Sequence, residues 1–348
     1  MNESIFRATL RRFFMVLATV VGAICALVLV TTMISYLIDK DVAGRPEVKR
    51  SLTAEIQPNA KGERETFSKT NPIILRINIE GVIGLDKLTR AHISQQLIES
   101  REAPFADNQV KAILLTINSP GGTVTDSDSI YRELIAYKER YKLPVYAHID
   151  GLCASGGMYI ACAADKIFAT DTSIVGSIGV VTPPIFNFVE LMNKVGVESV
   201  TLSAGKGKDE LNPFRPWAKD EGENYKDLIG YMYDLFVNVV TTNRPKVDKE
   251  ALVNKYGAHI FNAAKAQEIG FIDGSNNSYD EALSMLAKEI GAKEGEYQVI
   301  RFNDQNWFES LFKSESPLGI LSGTVHLKVE LPGMLDPKFS SQYLYLHQ

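Results

Sequence analysis

Residues 110–122 read VKAILLTINSPGG, and residues 143–159 read LPVYAHIDGLCASGGMY. Each stretch passes from β-branched and aliphatic residues straight into a glycine turn, the signature of a buried strand closed by a loop. Between them, Ile130, Leu134, Ile135 and Tyr137 recur at helical spacing, so a helix from about Thr125 to Tyr141 joins the two strands. The alternation continues in both directions. Upstream, Ile73–Ile79 (IILRINI) is a further buried strand, followed by Gly81, Gly84 and a helical stretch from about Leu88 to Arg101. Downstream, a helix opens near Ser155 and runs to about Ala164, and Lys166–Thr170 is a short strand. A turn over Gly176-Ser177-Ile178-Gly179 then precedes further strand material. Strands and helices in repeated alternation predict an α/β fold with a largely parallel sheet and flanking helices. Ligands in such folds gather at loops after the carboxyl ends of strands, where residues 118–122 and 150–157 fall.

Beyond Pro216 a long helix is expected from about Lys219 to Thr241. Its stripe of Tyr225, Leu228, Ile229, Met232, Leu235, Phe236 and Val239 is suited to packing on the sheet or on a neighbouring subunit. Residues 246–288 read as two helices around a turn at Gly270–Gly274. After Gly295 the pattern blurs, with Trp307, Phe308, Leu311 and Phe312 suggesting a small amphipathic element. The globular domain is thus expected over 72–295, with 296–348 as a C-terminal extension.

The amino-terminal end sets the compartment. Phe13 to Ile38 contains no charged residue, and Arg7, Arg11 and Arg12 precede it. A run longer than the roughly 20 apolar residues that cross a bilayer, with arginines before it, predicts a single transmembrane anchor. Residues 1–12 would then stay in the cytoplasm and the bulk of the chain would face the periplasm or cell exterior, held at the inner membrane. A cleaved signal peptide is the competing reading, but Thr31-Thr32-Met33-Ile34-Ser35-Tyr36 lacks an Ala-x-Ala-like site. Residues 39–71 turn polar and charged and read as a linker, with room for one short helix.

Composition narrows the function. A net charge of −5 with scattered lysines and arginines sets nucleic-acid binding aside. The three cysteines, Cys25, Cys153 and Cys162, show no zinc spacing, and the last two are expected as free, buried thiols. The chemistry is expected at Ala154-Ser155-Gly156-Gly157. A serine between a strand and a helix start, followed by two glycines, has its hydroxyl beside free backbone amides, and such amides stabilise an oxyanion. A plain helix-capping serine is the alternative. The Pro120-Gly121-Gly122 loop offers a second amide for the same oxygen. A nucleophilic serine needs a base. His92, His148, His259, His326 and His347 have no persuasive context, whereas Lys206 and Lys208 lie in Ser203-Ala204-Gly205-Lys206-Gly207-Lys208-Asp209. A lysine acts as base only when neutral, so its pKa must fall from ~10.4 toward ~7.

The motifs Asn118–Gly122, Ala154–Tyr159, Gly176–Val180 and Ser203–Pro213, in this order, resemble the signal peptide peptidase A family of Ser–Lys proteases, with the similarity running from about Ile73 to Gly274. The resemblance implies a Clp/crotonase-like fold behind an N-terminal transmembrane helix. It also implies Ser155 as nucleophile, Lys208 as base, Ser177 bonded to the base, and Gly122 and Gly156 as the oxyanion hole, with neither metal nor cofactor. It further implies peptide substrates such as signal-peptide remnants, and homo-oligomers with shared sites. Activity is then expected to rise with pH as Lys208 deprotonates. The extended tail from Leu327 to Gln348 could enter an active site as a pseudo-substrate. Two rivals stand beside this reading: a silent membrane scaffold of the same fold, and a crotonase-like acyl-CoA enzyme. The latter would have no use for a serine–lysine pair.

Overall fold

In the computed structural model, the residues described are 52–64, 71–106 and 108–304, the backbone of 344–346, and isolated positions 15, 22, 26 and 30. The chain divides into two units, Met1–Arg50 and Ser51–Gln348. Apart from those isolated positions, the expected anchor over 13–38 lies outside the described residues. Among the described residues no helix is long and apolar enough to cross a membrane.

A nine-stranded sheet organises the second unit. Its centre comprises β2 (Ile73–Ile83), β3 (Val110–Thr123) and β4 (Val145–Ala154), mutually parallel, with β5 (Lys166–Ala169) and β6 (Ile174–Gly176) both parallel to β4. Crossovers through α1 (Arg90–Glu99) and α2 (Val124–Tyr141) connect the central strands. Ile73, Ile74 and Leu75, like Ile113, Leu114 and Leu115, are wholly buried, as strands covered on both faces require. One face carries the main core with α1, α2, α3 (Gly156–Ala161) and the end of α5 (Glu223–Asn243). The other face buries Ile74, Leu114, Tyr146 and Phe168 against α7 (Tyr279–Glu289). Between α5 and α7 lie a short strand, β7 (Ile260–Asn262), and α6 (Ala263–Ile269). Cys153 and Cys162 are free and buried as expected, and burial pushes the Cys162 thiol up to about 12.

Several expectations need correction. The sheet is mixed. β1 (Leu52–Gln57) pairs antiparallel with β8 (Gln298–Asp304), and β6 pairs antiparallel with β7. Both β1 and β8 lie outside the expected domain of 72–295, in stretches read as linker and extension. They form because β8 runs parallel to Ile73–Arg76 and gives β1 an edge to join. The strand expected after Gly179 does not form. Residues 182–188 lack regular structure and lead to a short helix, α4 (Val189–Val195). The stripe on α5 packs only in its last part. Phe236, Val237 and Val240 are buried, with the Phe236 ring 5.0 Å from that of Tyr159, whereas Leu228 and Tyr231 are exposed.

Candidate active site

The site forms where β3 and β4 end. Ala154 pairs with Gly176, and the Ser155 amide donates to the Gly176 carbonyl at 2.9 Å. Ser177 directly follows β6, so two serines expected to work together emerge side by side from the ends of neighbouring strands. Both have φ of 54°. That left-handed region is uncommon for a residue with a Cβ and costs on the order of 1–3 kcal/mol, and such strain clusters at functional sites. The Ser155 side chain is fully buried, and its Oγ has no hydrogen-bond partner among the described residues. An orphaned buried hydroxyl is rare in a folded protein, and a catalytic role is one of the few reasons to keep one. Ser177 is held by its amide, which donates to the His259 carbonyl at 2.8 Å.

The two expected oxyanion glycines are neighbours, and a side chain at either would be crowded. A Cβ on Gly156 would stand 3.3 Å from the Gly122 nitrogen and 2.4 Å from Ser127 Oγ. On Gly122 it would collide with the Ile83 carbonyl oxygen at 2.0 Å. The loops therefore touch through bare backbone, which brings the amide-bearing segments of β3 and α3 together over Ser155.

One neighbour was foreseen only as a possibility of the tail. Residues Leu344–Leu346 form β9, antiparallel to the end of β3, with Gly121 opposite Leu346, Gly122 opposite Tyr345 and Thr123 opposite Leu344. β9 also runs alongside α2 and α3. Residues 344–346 thus lie as an added strand on the glycine loop.

Lys208 is not brought to Ser155 within the chain. It is exposed and sits on the segment from 181 to 222, its amide donating to the Gly205 carbonyl at 3.2 Å. Lys206 is exposed too. What fixes the loop is a residue that sequence reasoning missed. Arg215 reaches Asp209 Oδ2 at 2.8 Å and Glu221 Oε1 at 2.9 Å, directly beside Lys208. Its guanidinium, with the Ala218 and Leu211 amides, holds the Glu221 carboxyl down at about 2. An arginine six residues from each of two acids was the available signal. The same segment exposes Ile185, Phe186, Leu191, Val195, Val200 and Leu202.

His148 and His259 serve the structure. His148 is buried with Nε2 3.0 Å from the Asn277 carbonyl oxygen, and burial lowers its pKa. His259 meets the site through its backbone. Among the described residues no group of three His, Cys, Asp or Glu side chains converges to hold a metal ion.

Known proteins resemble the chain along these same elements. The peptidase family S49 model matches residues 138–293, and the Clp protease model matches residues 65–175. A putative signal peptide peptidase SppA of Enterococcus faecium is 31% identical over 302 residues, covering 83% of this chain and 85% of that protein. A putative protease of Methanocaldococcus jannaschii is 35% identical over 55% of this chain and 61% of its own length. Protease 4 of Haemophilus influenzae is 31% identical over 58% of this chain but only 32% of itself, so the chain spans about a third of that relative. A solved Listeria monocytogenes ClpP1 mutant, at 17% identity and a TM-score of 0.39 over 60% of this chain and 94% of that one, is too slight a likeness to add to these matches. Matched along most of the Enterococcus relative, with the S49 region spanning the Ser155 turn, the chain belongs to peptidase family S49 and is a serine protease with a Clp-protease-like α/β fold.

Proposed function

We propose that the chain is a membrane-anchored serine endopeptidase that degrades released signal peptides and other apolar peptides, using Ser155 as nucleophile and Lys208 as base. The observation that carries this reading is β9. An extended segment lying antiparallel on Gly121–Thr123, alongside the helix that follows Ser155, suits the place a peptide substrate needs. Adding a strand to a sheet edge is a general mode of peptide capture, in which main-chain hydrogen bonds supply affinity. The relative from Enterococcus faecium supports the substrate class through its name. The apolar run over 13–38 supports the anchor and the extracytoplasmic placement of the domain.

In this reading neutral Lys208 takes the proton from Ser155 Oγ as that oxygen attacks the scissile carbonyl. The Gly122 and Gly156 amides hold the oxyanion, and Ser177 orients the lysine. The protonated lysine then gives its proton to the leaving amine, and water releases the acyl-enzyme. The base comes from another copy of the chain. Support for that step is the position of Lys208 on an exposed segment rich in apolar side chains, which a second subunit would cover.

A serine-directed fluorophosphonate probe tests the nucleophile. It is expected to label the full chain at one site and to leave Ser155→Ala unlabelled. Labelling of the variant at the wild-type level would exclude Ser155. The tail supplies a second expectation. A chain ending before Phe339 is expected to cleave sub-saturating peptide about tenfold faster, because a tethered segment competes at an effective concentration on the order of 1 mM. An unchanged rate would mean that β9 does not hold the groove during turnover.

A further inference from the structure

The loop that carries Gly122 is irregular on both of its sides. On the β2 side the register runs from Glu80 opposite Asn118 to Val82 opposite Gly121, so Gly81 alone faces Ser119 and Pro120. On the β4 side it runs from Ile117 opposite Ile149 to Ser119 opposite Cys153, so Asn118 alone faces Asp150, Gly151 and Leu152. Each irregularity removes regular ladder bonds and leaves backbone groups to be satisfied in another way.

Two adjacent side chains do this. Asn118 Oδ1 accepts the Leu152 amide at 3.1 Å, three residues before the nucleophile. The Ser119 hydroxyl donates to the Gly81 carbonyl at 2.7 Å and accepts the Gly121 amide at 3.1 Å. Ser119 is wholly buried, and its carbonyl and Cβ form the wall against Gly157. With the Gly121 amide taken by Ser119, the next amide along the loop belongs to Gly122. Gly121 itself sits at φ 104°, a conformation that needs something to hold it.

We propose that Ser119 is a positioning residue for acyl transfer at Ser155. By bridging Gly81 and Gly121, its hydroxyl fixes the Pro120–Gly121 turn and so aims the Gly122 amide at the substrate's developing oxyanion. This rests on the reading of Ser155 as nucleophile and Gly122 as oxyanion donor. Ser119 touches neither substrate nor reacting atoms; it acts through the backbone of the loop. Oxyanion stabilisation depends on donors aimed in advance, and a displacement of about 1 Å can cost on the order of a hundredfold.

The experiment compares full-length Ser119→Ala, Ser119→Cys and Ser119→Thr with wild type. It measures kcat and KM on an apolar peptide, and affinity for a peptide boronate that forms a tetrahedral adduct with the nucleophile. The alanine chain is expected to lose roughly ten- to a hundredfold in kcat, with KM within about twofold, and to lose boronate affinity by the same factor. Threonine keeps the hydroxyl and is expected to retain most of the rate. Cysteine keeps the shape with weaker hydrogen bonds and is expected to fall between, so it reports the defect even if the alanine chain does not assemble. Binding of the unreacted peptide, measured in the Ser155→Ala background, is expected to be unchanged by Ser119→Ala. Wild-type kcat and boronate affinity in the alanine or cysteine chain would overturn the proposal, as would an equal loss of unreacted-peptide binding. If Ser155→Ala alone still cleaves, the underlying reading fails instead, which separates the two failures.

Discussion

Chains carrying Ser155→Ala and chains carrying Lys208→Ala, each inactive alone, are expected to regain about a quarter of wild-type activity when produced together, as random pairing in a symmetric assembly gives. Each single variant is expected to fall by about 10⁴-fold or more, because nucleophile and base act as a unit. Recovery follows if the base crosses from one subunit to the next. A site built from the intact serine of one chain and the intact lysine of another is complete, whereas a site built within one chain never is. The geometry favours crossing. Ser155 Oγ is buried without a partner, while Lys208 stands exposed on a segment whose Val200 and Leu202 are 84% and 93% exposed. Apolar exposure of that kind, on a segment that Arg215 ties to Asp209 and Glu221, is what the proposed subunit contact requires. Co-purification through two different tags establishes that mixed assemblies form. If they form and activity does not return, the base lies in the same chain or is not Lys208. Retained activity in Lys208→Ala alone would remove that lysine from the mechanism, and Lys206→Ala is expected to behave as wild type.

The contrast between what could and could not be read from residues follows the range of the interactions. Ile73–Ile79 and Val110–Ile117 were legible because strands buried on both faces write themselves as continuous aliphatic runs. The Ser155 turn and the Pro120-Gly121-Gly122 loop were legible because each ends such a run in glycines that the backbone geometry demands. β1 was not. Leu52–Gln57 (LTAEIQ) has few apolar residues, and its partner β8 begins more than 240 positions along the chain, with Leu52 opposite Asp304. The β-branched Val180, Val181 and Thr182 pointed to a strand, but of the three only Val181 makes a bridge and no ladder extends from it, and tertiary context decides β-propensity. The serine and glycines of the site were readable as motifs, whereas nothing in the sequence around Ser119 and Asn118 pointed to their bonds. Those bonds depend on bulges whose register no spacing rule reveals. The exposure of Lys208, away from any bond to the Ser155 hydroxyl, is likewise invisible in a linear motif, which carries no distance between its members.

Gly156→Ala is expected to lower kcat by about 10²–10³-fold while the fold persists, the loss that follows when an oxyanion donor is displaced. Gly156 is the first residue of α3, and its φ lies outside the left-handed region that excludes side chains. Alanine is therefore acceptable to the local backbone, and in a helix it is favoured over glycine by about 1 kcal/mol. The obstacle is spatial. The new methyl would stand 2.4 Å from Ser127 Oγ, 3.1 Å from Ile83 Cδ1 and 3.3 Å from the Gly122 nitrogen. Ser127 cannot simply yield, because it is wholly buried and its hydroxyl donates to the Thr123 carbonyl at 2.7 Å. The methyl therefore pushes the start of α3 off Ser127 of α2 and crowds the Gly122 nitrogen, disturbing the two amides proposed to share one oxygen. Removing the hydroxyl in a Gly156→Ala/Ser127→Ala double variant relieves the worst of these contacts, and it is expected to recover at least about tenfold of the lost kcat despite the lost hydrogen bond. Near-wild-type kcat in the single variant, with an unchanged melting temperature, would show that the Gly156 amide takes no part in holding the oxyanion. A loss that Ser127→Ala leaves untouched would place the defect in the methyl's contact with Gly122 itself, which is the tighter test of whether the two glycines share one oxygen.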